Sequence, residues 1–90
     1  MSITHRASSD FWADYDALPG EIRARADRQF ELLKANPQHP SLHFKKIGDR
    51  NGRDIWSVRV TLRYRALAAK SDAGYVWFWI GDHASYDVLI

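Results

Sequence analysis

The stretch Trp56-Ser57-Val58-Arg59-Val60-Thr61-Leu62-Arg63-Tyr64-Arg65 decides how the chain folds. Trp56, Val58, Val60 and Leu62 alternate with Ser57, Arg59, Thr61 and Arg63, so an extended backbone sends one set to a core and the other to the opposite face. Arg59, Arg63 and Arg65 on that second face call for an anionic partner. A phosphate backbone and a carboxylate-rich protein segment both qualify.

Working outward, Ile55 to Val60 reads as a strand, reversed near Thr61 to Arg63 into a second strand from Tyr64 to Ala69. Ser71-Asp72-Ala73-Gly74 turns the chain into Tyr75 to Ile80, whose Tyr-Val-Trp-Phe-Trp-Ile lacks polar alternation and is expected inside the sheet, covered on both faces. Upstream, Leu42 to Ile47 reads as the first strand of this meander, joined through a polar turn from Gly48 to Gly52. All four tryptophans are expected in the core.

Before the meander, Ser8-Ser9-Asp10 offers oxygens to cap a helix carrying Phe11, Trp12, Tyr15 and Leu18 on one face. Pro19-Gly20 breaks it and opens a second helix, where Ile22, Ala26, Phe30 and Leu33 form a stripe able to lie on a sheet; Asn36-Pro37 ends it. Residues 2–7 show only a faint pattern, that of a short edge strand. The fold expected is α/β of the α+β kind: an N-terminal helical hairpin packed on a curved, mostly antiparallel four-stranded sheet.

The 90 residues suit one domain, 1–90, with 46% hydrophobic and 13% aromatic residues excluding a disordered chain. There is no cysteine, hence no disulfide framework and no thiolate metal site. Met1 to Arg6 lacks the apolar run of a signal peptide and no segment has the length of a membrane span, so a cytoplasmic protein without membrane partners is expected. The net charge of +2 conceals a local surplus, because Lys45 to Arg65 holds seven cations against Asp49 and Asp54. That asymmetry suggests docking to a polyanion.

The chain resembles the RelE/ParE superfamily of bacterial type II toxins over nearly its whole length. The resemblance rests on Phe11-Trp12, Leu18-Pro19, Asn36-Pro37, Leu42 with Lys45-Lys46, Trp56-Ser-Val-Arg-Val, Tyr64-Arg65-Ala-Leu and Trp79-Ile-Gly-Asp-His83, taken in order. It implies either a ribosome-dependent mRNA endonuclease, as in RelE-like members, or an inhibitor of DNA gyrase without catalysis, as in ParE-like members; a catalytically inactive relative that still pairs with an antitoxin is the third possibility. Arg59 resembles the arginine that the nucleases place on the scissile phosphate, and His83 stands where they carry an Arg or a His. Tyr86 looks like their terminal aromatic. His39-Pro40-Ser41-Leu42 resembles the His-Pro-Leu of the YafQ-type branch with one residue inserted.

The resemblance therefore implies metal-independent cleavage, with no cofactor, by attack of the 2′-hydroxyl on the adjacent phosphorus. His83 would be general acid, Arg59 the cation on the transition state, and Tyr86 a stacking surface. The base is left open among His39, His43, water and a ribosomal group. Lys45, Lys46, Arg63 and Arg65 would hold the RNA backbone without reading sequence. The partners implied are mRNA and the ribosome, and a cognate antitoxin with an acidic amphipathic segment, or DNA gyrase under the alternative. Simpler roles compete: Arg59 paired with Asp54 or Asp82, Lys45-Lys46 as a solvated edge that deters sheet-to-sheet pairing, and His83 as a cap on backbone carbonyls.

Overall fold

The computed structural model describes residues 4–84. Helix α1, Ser9–Asp16, starts where Ser8 Oγ accepts the Phe11 N–H at 3.2 Å, and Asp10 in its first turn complements the helix dipole. Pro19 precedes α2, Gly20–Ala35, so the missing proline N–H leaves no helix donor unsatisfied. The Asn36 N–H bonds back to the Leu32 carbonyl and closes that helix.

Five strands form one sheet in the order β1-β5-β4-β3-β2: β1 Thr4–Ala7, β2 Lys45–Arg50, β3 Arg53–Arg59, β4 Tyr64–Lys70 and β5 Gly74–Asp82. The expectation of four strands is thus corrected. Strand β1 runs parallel to β5, from Thr4 opposite Gly74 to Ala7 opposite Trp77, and the other pairings are antiparallel. Its sequence, Thr-His-Arg-Ala, is short and polar, so its pairing is supplied by the neighbour: a Cβ at Gly74 would collide with the Thr4 carbonyl. β5 is interior to the sheet, as its composition suggested.

Two boundaries differ from the sequence reading. Leu42 is not in a strand; it ends a 3₁₀ turn, Pro40–Leu42, and is fully buried, while β2 begins at Lys45 and continues through Arg50. The polar segment is therefore mostly strand, and the reversal is only Asn51-Gly52, with φ of 55° and 80°. Positive φ at both central residues matches a type I′ hairpin turn, for which Asn-Gly is the favoured pair.

Leu33, Val58, Ala66, Trp77 and Ile80 build the core between the helices and one face of the sheet, with Leu42 beside them. On the other face Ile55 and Leu67 are also buried. A bulge distributes the tryptophans. Leu67 faces Trp79 but Ala68 faces Trp77, so Phe78 is an extra residue in β5, and the two indoles fall on opposite sides of the sheet. Trp77 is 5% exposed against the helices, Trp79 is half-buried on the far face, and Trp12 on α1 is 51% exposed, so the expectation of four core tryptophans fails.

Candidate functional site

Register determines which cations share a face. Arg59 pairs with Arg65 across β3 and β4, and Arg65 pairs with Gly81 across β4 and β5. Their neighbours Val58, Ala66 and Ile80 face the helices, so Arg59, Arg65 and Gly81 form a row on the opposite side. Just past the end of β5, the His83 N–H donates to the Arg63 carbonyl at 2.6 Å, which ties an exposed histidine to the 61–63 reversal. With strands about 4.8 Å apart, Arg59 and Gly81 are separated by roughly 10 Å. Trp79 leans along the same row, since a Cβ at Gly81 would stand 2.8 Å from its ring.

Two arginines directly opposite each other repel. Arg65 spreads its charge over main-chain carbonyls: Nη1 donates to Thr61 at 2.5 Å, to Tyr64 at 3.0 Å and to Leu62 at 3.2 Å, clipping the 61–63 reversal that follows β3. Arg59 has no such arrangement. Its Nε is buried without a hydrogen-bond partner, and no ion pair among the described residues reaches it. The carboxylates considered for it are engaged elsewhere, Asp54 with Lys46 Nζ at 3.1 Å and Asp82 with the Ala84 N–H at 2.8 Å.

The Arg59 backbone is pinned from the helix side. β2 begins at Lys45, opposite Ser57, and does not extend as far as Arg59. Gln29 of α2, buried in the core, fills the gap: its Nε2 donates to the Arg59 carbonyl at 2.9 Å and reaches the Ser41 carbonyl at 3.5 Å. A glutamine on an otherwise arginine-rich helix carries no sequence signal for this role.

The predicted residues separate. Lys45 pairs with Ser57 and so shares the face of Arg59, whereas Lys46 pairs with Trp56 on the helix side and is bonded to Asp54. Lys46 therefore leaves the cationic row. His39 Nδ1 accepts from the Ser41 N–H at 3.2 Å and lies 2.9 Å from Ser41 Oγ, which caps the 3₁₀ turn. The histidine beside the guanidinium is His43, with Nδ1 3.5 Å from Arg59 Nη2. Tyr86 lies outside the described residues. Sequence reading left His43 as one of several candidate bases and placed Trp79 in the core, because neither the left-handed backbone at 43 nor the bulge at 78 leaves a pattern in composition.

A model of the ParE-like toxin domain matches residues 20–88. No curated protein matches the sequence. Among solved structures, YafQ in the Escherichia coli DinJ–YafQ toxin–antitoxin complex is similar at 13% identity with a TM-score of 0.72, covering 94% of this chain and 97% of that one. The RelB–RelE antitoxin–toxin complex of Methanococcus jannaschii gives 21% and 0.68, covering 94% and 99%. The YoeB dimer of Staphylococcus aureus gives 11% and 0.67, covering 92% and 99%.

Proposed function

The chain belongs to the ParE-like toxin domain family, within the RelE/ParE superfamily, and on that premise we propose that it is the toxin of a type II toxin–antitoxin pair and acts as a ribosome-dependent mRNA endonuclease in the cytoplasm. One observation carries this reading: a half-buried arginine with an unpartnered Nε, set opposite a second arginine and beside an imidazole. A phosphate oxygen accepting from the Nη groups of Arg59 would relieve the like-charge pair.

In this reading Arg59 holds the scissile phosphate and the charge developing on it, and His83 protonates the leaving 5′-oxygen. Lys45, Arg63 and Arg65 carry the flanking backbone, and Tyr86 stacks on a base. The antitoxin occupies the same face with an acidic segment. Its carboxylates meet the donors that phosphate would use.

The test is cleavage of mRNA on programmed ribosomes by purified protein. The wild type should cut, while Arg59→Ala and His83→Ala should slow cutting by about 10²–10³-fold with unfolding curves unchanged. Intact message with inhibited DNA supercoiling would instead support the alternative, a gyrase inhibitor without catalysis.

A further inference from the structure

We infer that His43 is the general base of this cleavage, an assignment that rests on the nuclease reading above. Its Nδ1 stands 3.5 Å from Arg59 Nη2. A guanidinium has donors only, so the contact requires a lone pair on Nδ1, and the neutral ring carries its proton on Nε2. A phosphate oxygen that takes over the Nη2 donor at about 2.9 Å releases that lone pair and brings the adjoining 2′-hydroxyl within reach of Nδ1, directly or through one water.

The backbone holds the ring in that place. Leu42 before it is fully buried, and Phe44 after it packs on Trp56 at 4.9 Å and Tyr75 at 5.3 Å between ring centroids. Between these anchors His43 adopts φ 43°, ψ 42°, the left-handed region that non-glycine residues rarely enter, and its N–H bonds to the Pro40 carbonyl at 3.3 Å. An unfavourable conformation held from both sides aims one side chain. The other histidines near the sheet are engaged differently: His39 Nδ1 in its own turn, and His5 Nδ1 as acceptor of the Trp77 indole N–H at 3.1 Å.

The step balances. The 2′-O–H proton passes to His43 Nδ1 as the 2′-oxygen bonds to phosphorus; the phosphorus–5′-oxygen bond breaks and that oxygen takes a proton from His83. The products are a 2′,3′-cyclic phosphate and a 5′-hydroxyl, and both rings return to their starting state by exchange with solvent.

Single-turnover cleavage on programmed ribosomes separates the roles, using ordinary mRNA and mRNA with a 5′-bridging sulfur at the scissile position, whose thiolate leaves without needing an acid. His43→Asn, which tolerates the left-handed backbone but cannot take the proton, should be about 10²–10³-fold slower on both substrates. His83→Ala should be slow on the ordinary substrate and recover on the sulfur one. The rate of the wild type should rise with pH on its acid side, and that limb should vanish in His43→Asn. His43→Asn within threefold of wild type, or rescued by sulfur as His83→Ala is, overturns the assignment. If His43→Asn unfolds, His43→Gly replaces it, and failure of added imidazole to restore cutting is equally fatal. A wild type that cuts no message refutes the nuclease reading itself, a result distinct from a cutting wild type with a cutting His43→Asn.

Discussion

Replacing Gln29 with leucine tests whether the helix hairpin sets the position of the cationic row. The substitution keeps the volume roughly constant at a position 8% exposed, but removes the donor that serves the Arg59 carbonyl at 2.9 Å and the Ser41 carbonyl at 3.5 Å. The long contact contributes little, so the magnitude rests on the short one. A buried acceptor left without a partner costs about 1–3 kcal/mol, and the apolar replacement returns at most about 1 kcal/mol by its own burial. The net expectation is about 1–2 kcal/mol. In a domain of this size each kcal/mol moves the midpoint by about 4–8 °C, so thermal unfolding followed by circular dichroism should shift down by roughly 5–15 °C. Gln29→Glu, which puts an acceptor against the same carbonyl, should be worse at neutral pH. A Gln29→Leu midpoint within about 2 °C of wild type would refute the argument that α2 completes the end of β3.

Other outcomes follow from single contacts. Gly74→Ala should detach β1, since the added methyl meets the Thr4 backbone; amide exchange should accelerate across residues 4–8 while β3 and β4 keep their protection. Gly81→Ala places a methyl 2.8 Å from the Trp79 ring, so tryptophan fluorescence should change and RNA cleavage should fall by more than stability does, the measured pair being emission maximum and single-turnover rate. Burial, with Lys34 adding to it, holds the His5 imidazole below its usual range. The folded state then binds fewer protons than the unfolded one, so stability is fully present above about pH 6.5 and declines as pH falls below it; urea midpoints should show this decline in wild type and lose it in His5→Gln.

The architecture was legible where side-chain period decides it. Val58 and Val60 against Arg59, and Ala66 against Arg65, fix which face is core regardless of detail. Strand β1 was nearly invisible because its four residues offer too little apolar alternation, and its place is set by Gly74, seventy residues away. The Asn51-Gly52 signal was present in the sequence, yet the polarity of Gly48-Asp49-Arg50 suggested a long loop; a two-stranded edge hairpin is polar simply because little covers it. The row of Arg59 and Arg65 followed from alternation. The place of His43 did not, because it depends on a left-handed residue between Leu42 and Phe44, a property of tertiary packing.

Parity also decides what the cationic face can bind. A one-residue step moves a lysine from one side of the sheet to the other, and this is the difference between Lys45, in step with Ser57, and Lys46, in step with Trp56 and neutralised by Asp54. The adjacent pair is therefore not one patch. The face opposite the helices is narrower than the sequence total suggests, and within it Arg59 has a buried Nε with no internal partner among the described residues. In the proposed reading a phosphate and an antitoxin carboxylate compete for Arg59 directly, and neutralisation of the toxin needs no change of fold: occupying that guanidinium leaves the scissile phosphate without its principal ligand and His43 without a substrate hydroxyl to deprotonate.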